Sequence, residues 1–78
     1  MHEEYIKPGF DQAKDRFVEE IGEVLQALGK CGRFGYYNRY PKHDLTNTTK
    51  LQLELHDLED ALCRFRTELS KKWMEENV

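Results

Sequence analysis

Residues 20–28 read E-I-G-E-V-L-Q-A-L, and residues 54–62 read E-L-H-D-L-E-D-A-L. Both stretches follow one template, in which two acids lie three residues apart, an apolar residue follows each acid, and Ala-Leu ends the run. Apolar residues at intervals of three and four are typical of an amphipathic helix. Acids three residues apart lie side by side on such a helix. The template therefore predicts two helices that each carry a matched pair of carboxylates.

The apolar residues around these stretches form a seam on each predicted helix. The first seam contains Phe17, Ile21, Val24 and Leu28, and the second contains Leu51, Leu55, Leu58, Leu62, Phe65 and Leu69. On a helical wheel, Glu20 and Glu54 lie roughly 60–70° to one side of the seam centre. Glu23 and Asp57 lie roughly 130° to that same side, whereas Asp60 points away from the seam. The pattern thus selects Glu54 and Asp57 as the second pair.

Four carboxylates around one space favour a bound cation, because buried unpaired carboxylates are costly. A site made of carboxylates alone favours a hard ion, Mg²⁺ or Mn²⁺, over zinc. The predicted ligands are Glu20, Glu23, Glu54 and Asp57. For any single acid on a helix, a solvated surface position is the ordinary interpretation. The matched offset of the two pairs favours the metal site instead.

Glycines mark the expected end of the first helix. The helix is predicted from about Phe10 to Leu28, since Gly29 and Gly32 follow as stop signals. Residues 29–45 then form a connection that is rich in glycine, aromatic and basic residues. This connection is longer than an antiparallel helix pair needs. No alternating apolar pattern in the sequence predicts strands.

The second helix is expected to be the longest element. N-cap candidates lie within residues 46–49, and the helix is predicted to run to about Trp73. Its seam from Leu51 to Leu69 is longer than the first helix can cover, and exposing the remainder would be costly. Residues 1–78 are therefore predicted to form a single all-α domain of two long helices joined by a long loop. Homo-oligomerisation would complete a four-helix bundle, as a dimer or a tetramer.

The connection carries candidate ligand contacts. Lys30 and Arg33 are cations suited to phosphate, and Arg binds phosphate through paired hydrogen bonds. Tyr36, Tyr37 and Asn38 are candidates for contact with a nucleotide base on chemical grounds alone. The alternative is a loop whose aromatic residues pack beneath it and whose cations balance the helix acids. The sequence leaves both interpretations open.

The composition argues against several classes of protein. The net charge of −3 disfavours nonspecific binding of a nucleic-acid polymer, which requires a basic face. The longest apolar run is far too short to span a membrane. Cys31 and Cys63 are too few for a disulfide framework and are expected to be reduced thiols. We therefore expect a cytoplasmic protein with no membrane partner.

The acidic and basic motifs together resemble those of one enzyme family. E-E-x-x-E at residues 19–23, followed by E-x-x-D at residues 54–57, is similar to the signature of the MazG-like nucleoside triphosphate pyrophosphohydrolases. In phage-type members the first motif is followed by G-K-x-x-R-[FW]-G, which residues 29–35 match. The resemblance covers residues 10–69. The interval between the acidic motifs is longer here than in many members, and the family usually builds a four-helix core.

The resemblance implies hydrolysis of ribo- or deoxyribonucleoside triphosphates between the α and β phosphates, giving a monophosphate and pyrophosphate. It implies Mg²⁺, with Mn²⁺ as a substitute, held by Glu20, Glu23, Glu54 and Asp57. Catalytic roles would fall to Glu19, Glu20 and Glu23, of which Glu19 would orient water. Lys30 and Arg33 would hold the β and γ phosphates. The implied location is cytoplasmic, and it is the host cytoplasm if a phage encodes the chain.

Two further hypotheses come from other classes. The chain is alternatively a non-catalytic helical dimerisation and interaction module, whose acidic face binds a basic partner. That hypothesis explains the seams and the charge, but not the common offset of the two acid pairs. A catalytically inactive relative that still binds a nucleotide is the third possibility.

Overall fold

The structure is a computed structural model that describes residues 9–38 and 45–77. It contains two helices, α1 (Gly9–Phe34) and α2 (Asn47–Glu76), and the described residues contain no strand. The helices pack as an antiparallel hairpin, with Phe10 near Phe65 at one end and Cys31 near Asn47 at the other. The all-α class predicted from the sequence is therefore confirmed. Neither helix, over these two ranges, combines the length and apolar character that a membrane crossing requires.

Helix α1 continues through Gly29 and Gly32, so the predicted stop at these glycines is wrong. The helix ends at Phe34, and Gly35 follows with φ +88° and donates its N–H to the Cys31 carbonyl at 2.9 Å. A left-handed residue directly after the last turn is a common helix stop. A helical glycine costs only about 1 kcal/mol relative to alanine. Burial of Cys31 against α2 outweighs that cost and extends the helix.

The longer α1 changes the connection. Lys30 and Arg33 belong to the last turns of α1 and not to a loop. Residues 35–46 join the helices, in place of the predicted 29–45, and 39–44 lie outside the described residues. Both cations are therefore carried on a regular helix, which fixes the position of their backbone relative to the acids.

Helix α2 begins at the predicted N-cap. Thr46 has an extended backbone, and its hydroxyl accepts the Thr49 N–H at 3.2 Å. The Asn47 N–H donates to the Asn38 carbonyl at 2.8 Å, and the Thr48 N–H donates to the Tyr36 carbonyl at 2.9 Å. The start of α2 is thereby tied to the segment that follows α1. At its other end α2 runs to Glu76, slightly beyond the predicted Trp73.

An inner seam joins the two helices. On α1 it comprises Phe10, Ala13, Phe17, Glu20, Val24, Ala27 and Cys31, and on α2 it comprises Asn47, Leu51, Glu54, Leu58, Ala61, Phe65 and Glu68, all buried or half-buried. These positions alternate at intervals of three and four, the spacing that keeps one face of a helix against its neighbour. Phe17 stacks on Phe65 with ring centroids 5.2 Å apart. Alanines in both seams allow the helices to approach closely.

The remaining apolar residues form an outer stripe that the hairpin does not cover. It comprises Val18, Ile21, Leu25 and Leu28 on α1 with Leu55, Leu62 and Leu69 on α2, each between 36% and 63% exposed. On both helices this stripe lies roughly 80–90° from the inner seam in the same rotational sense. Because the helices are antiparallel, the two halves face the same side of the hairpin. Part of each predicted seam therefore stays at the surface, since a two-helix hairpin buries one strip of each helix.

Candidate metal centre

Three carboxylates meet between α1 and α2. One oxygen of each of Glu20, Glu23 and Glu54 lies within 4.8 Å of the other two. Glu20 and Glu54 occupy the inner seams, and Glu23 lies about one turn beyond Glu20 on the flank away from the outer stripe. Glu54 is only 7% exposed, while Glu20 and Glu23 are half-buried. The packed helices thus hold three acids close enough for one ion to contact all of them.

While all three acids are ionised, two buried oxygens of this cluster accept no hydrogen bond from any residue that the structure describes. They are Oε2 of Glu20 and Oε2 of Glu54. Leaving a buried polar atom unpaired costs about 1–3 kcal/mol, and more for a charged group. A cation at the cluster would remove that cost by accepting both oxygens as ligands. The donor set is all oxygen and all carboxylate, which fits Mg²⁺ or Mn²⁺.

The cluster redistributes protons among its members. The pKa of Glu23 is raised to about 7, mainly because its protonated form can donate a hydrogen bond to Glu54, and further because Glu20 adds negative charge. The pKa of Glu54 is lowered, mainly because Lys50 Nζ lies 2.8 Å from its Oε1. With a pKa of about 7, Glu23 is about half protonated at neutral pH, whereas Glu54 is ionised. A divalent ion would compete directly with that proton.

This competition predicts a pH-dependent stability. The pKa of Glu23 is about 7 in the folded protein and 4.5 in the unfolded chain, so the folded state binds the proton more tightly. Its contribution to stability should therefore fall as pH rises from about 4.5 through 7 in the presence of EDTA. Stabilisation by added Mg²⁺ should grow over the same window. Melting curves from pH 5 to 8, with and without Mg²⁺, measure both trends.

A Glu23→Gln variant is the control for this titration, because glutamine keeps the shape of the side chain but cannot titrate. The downward slope above pH 4.5 should flatten in the variant. An unchanged slope would show that the histidines or other groups cause it, and that Glu23 does not titrate near pH 7.

The other acids of the predicted site lie outside the close group. Asp57 is exposed, one turn after Glu54, and its carboxylate is not among the three that approach within 4.8 Å of one another. Glu19 is exposed on the outward side of α1. The proposed ligand role of Asp57 and the water-orienting role of Glu19 stay predictions.

The predicted phosphate and base contacts differ in their surroundings. Lys30 is half-buried and faces a cavity beside the acids, whereas Arg33 is exposed and lies over the Phe34 ring at 5.5 Å. Tyr37 is 87% exposed, and Tyr36 is half-exposed. The Asn38 amide donates to the Phe34 carbonyl, so it caps the end of α1. Asn38 thus has a structural role apart from any contact with a base.

The cavity beside the cluster measures about 450 Å³. Its lining consists of Glu23, Gln26, Ala27, Lys30, Leu45, Asn47, Lys50 and Glu54. Lys30 lies seven residues after Glu23, which places its backbone about 10 Å further along α1. The cavity therefore has carboxylates at one end, with Lys50 paired to Glu54, and Lys30 towards the connection. This separation of charge suits a ligand that combines a metal ion with an anionic group.

Lys50 is the residue of this site that the sequence template did not select. It pairs with Glu54 at the i, i+4 spacing of a helical ion pair. That spacing is visible in the sequence, but many surface pairs share it, and only the burial of Glu54 distinguishes this one.

Comparisons of the chain with protein-family models, with curated proteins and with solved structures find no match.

Proposed function

We propose that the chain is a Mg²⁺-dependent nucleoside triphosphate pyrophosphohydrolase of the MazG-like type. Its products would be a nucleoside monophosphate and pyrophosphate, from ribo- or deoxyribonucleotides. The observation that carries the proposal is the cluster of Glu20, Glu23 and Glu54, with two buried unpartnered oxygens, beside a cavity that also holds lysines. The similarity of the acidic and basic motifs to that family supports the same reaction.

The carboxylates would hold the ion, with Asp57 one turn away as a further ligand, directly or through water. When bound, Mg²⁺ would polarise the α-phosphate and lower the pKa of an attacking water. Glu19 would orient that water from the outward side of α1. Lys30 would contact the phosphates from within the cavity, and Arg33 would reach them from the next turn. Their positive charge would stabilise the departing pyrophosphate.

Pyrophosphate release tests the proposal. Ribo- and deoxyribonucleoside triphosphates of each base should be incubated with the protein in Mg²⁺ and, separately, in EDTA. We expect release from at least one substrate in Mg²⁺ only. A helical interaction module would release pyrophosphate from none of these substrates. An inactive relative would bind a nucleotide but would release no pyrophosphate from it.

Loss of the α1 cations should harm catalysis more than folding. Lys30→Ala should lower kcat/KM by about tenfold or more, equivalent to about 1.4 kcal/mol of transition-state binding. Arg33→Ala should act in the same direction, and its melting temperature without ligand should hardly change, because an exposed Arg contributes little stability. Steady-state kinetics and melting curves on the same samples measure both effects.

The opposite result would support the alternative hypothesis, in which the cations only balance the negative charge of the helix acids. In that case Arg33→Ala would lower the melting temperature and leave kcat/KM at the wild-type value. Lys14, an exposed α1 residue paired with Asp15 at 3.2 Å, supplies a control variant, Lys14→Ala, that should change neither quantity much.

We further propose that two copies pair through the outer stripe to form a four-helix bundle. The buried apolar residues of the described chain are small, namely Ala13, Ala27, Cys31 and Ala61. A chain of 78 residues with so small a core is marginal alone. The outer stripe presents seven large apolar residues on one side, with the spacing of a helix-packing surface. Glu23 lies on the opposite flank, so the open side of the acidic cluster would stay accessible in each copy.

A further inference from the structure

Lys50 connects the acidic cluster to the cavity. Its Nζ lies 2.8 Å from Oε1 of Glu54, and its side chain is 51% exposed whereas that of Glu54 is 9% exposed. The other oxygen of Glu54, Oε2, is buried and has no hydrogen-bond donor among residues 9–38 and 45–77 while Glu23 is ionised. Glu54 thus offers one oxygen to an ammonium group and the other to the space shared with Glu20 and Glu23.

A divalent ion and an ammonium group would compete for this carboxylate. Positive charges a few ångström apart repel each other, and water screens that repulsion little at a buried group. Lys50 can leave at low cost, since its flexible four-carbon stem is half-exposed. Glu54 cannot follow, because it is packed in the inner seam. Metal binding to Glu54 would therefore release the Lys50 ammonium towards the cavity that Lys50 lines.

The start of α2, a usual place for phosphate, cannot serve the cavity. The N–H groups of Asn47 and Thr48 donate to carbonyls of the connection, and that of Thr49 donates to the Thr46 hydroxyl. The exposed N–H groups that bind anions at other helix starts are thus already used. Positive charge for an anion at this end of the cavity must come from side chains, of which Lys30 and Lys50 line it.

We propose that Lys50 is a second phosphate-binding residue, which exchanges from Glu54 to the polyphosphate of the substrate when a divalent ion binds the carboxylates. The inference rests on the proposed function for the class of substrate. It has a thermodynamic consequence, because the metal frees the lysine that the polyphosphate needs. Metal and polyphosphate should therefore strengthen each other's binding, and part of that coupling should depend on Lys50.

The test compares wild type, Lys50→Gln, Lys50→Arg and Lys71→Gln by calorimetry. Lys71 is the matched control, since it forms a similar local pair on α2, 3.5 Å from Glu68 and far from the cavity. Each protein is titrated first with Mn²⁺ alone and then, in excess Mg²⁺, with inorganic tripolyphosphate. Circular dichroism verifies that each variant is helical, and Lys50→Arg retains the charge if Lys50→Gln folds poorly.

We expect Lys50→Gln to shift the two affinities in opposite directions. Its Mn²⁺ affinity should equal or exceed that of wild type, because the competing ammonium is gone. Its tripolyphosphate affinity should fall about tenfold or more, whereas Lys50→Arg should stay within a few-fold and Lys71→Gln should match wild type. A purely structural Lys50 would weaken Mn²⁺ binding or leave tripolyphosphate binding unchanged, and either result would overturn the inference.

Hydrolysis separates this inference from the proposed function. If wild type hydrolyses a nucleotide and Lys50→Gln binds tripolyphosphate normally, only the role of Lys50 fails. If wild type binds tripolyphosphate in a Lys50-dependent way without hydrolysing any nucleotide, the role of Lys50 is supported and the hydrolase fails. Absence of tripolyphosphate binding to wild type would overturn the role of Lys50, and nucleotide hydrolysis would still decide the proposed function.

Discussion

Glu23→Gln should abolish the response of the protein to Mg²⁺ and lower turnover by at least about 100-fold, which corresponds to about 2.7 kcal/mol. The substitution removes a negative charge from the three-carboxylate cluster and keeps the size of the side chain. Glutamine can also still donate the hydrogen bond to Glu54 that, together with the negative charge of Glu20, raises the pKa of Glu23 to about 7. We therefore expect the metal-free variant to melt at the same temperature as wild type or higher near pH 8. Its melting temperature should then stay constant as Mg²⁺ is added.

The prediction separates stability from activity, because the variant should keep its melting temperature and lose its turnover. Asp60→Asn supplies the control, because Asp60 is an exposed acid of α2 outside the three-carboxylate cluster. Its carboxylate lies 4.0 Å from His56 Nε2. This substitution should leave both the Mg²⁺ shift and turnover near wild type. Equal effects of the two substitutions would mean that general negative charge, and not the cluster, attracts the ion.

Leu25→Glu should dissociate the proposed homo-oligomer. Leu25 is 63% exposed at the centre of the α1 part of the outer stripe. A second copy packed there would bury it, and an unpaired carboxylate in such an interface would cost several kcal/mol. Light scattering at micromolar concentration should give at least a dimer for wild type and a monomer for the variant. Helicity and melting temperature should fall together in the variant, because a lone hairpin buries so little.

Leu53→Glu is the matched control for the interface. Leu53 is 49% exposed on α2 but lies off the outer stripe, so the same chemical change should leave the mass unaltered. A monomeric wild type at micromolar concentration would contradict the four-helix bundle outright. A Leu25→Glu variant that keeps the wild-type mass would place the interface elsewhere on the hairpin.

The features that the sequence predicted well depend on local spacing. Thr46 caps α2 through the Thr49 N–H, an interaction within one turn that the sequence displays directly. The approach of Glu20 to Glu54 follows from their equal offsets from the apolar residues, since facing helices bring equal offsets together. Helical periodicity alone therefore predicts the all-α class and the proximity of Glu20 to Glu54.

The features that the sequence does not predict depend on packing between the helices. Gly29 predicts a helix stop, but α1 continues past it because Cys31 is buried against α2. The apolar residues of each helix form two strips, and a wheel does not tell which strip faces the neighbouring helix of the same chain. Close approach at small residues such as Ala27 selects the inner seam, and the strip with Leu25 stays outside. The proposed role of Lys50 depends on the antiparallel packing of α1 and α2, which places this residue beside the cavity.

The products formed from a nucleoside triphosphate test the proposed reaction most directly. Phosphorus NMR of a reaction in Mg²⁺ distinguishes pyrophosphate with a monophosphate from orthophosphate with a diphosphate. We predict equal amounts of pyrophosphate and monophosphate from wild type, and no products in EDTA or with Glu23→Gln. Orthophosphate with a diphosphate, or an unchanged triphosphate for every base and sugar tried, would contradict the proposed pyrophosphohydrolase.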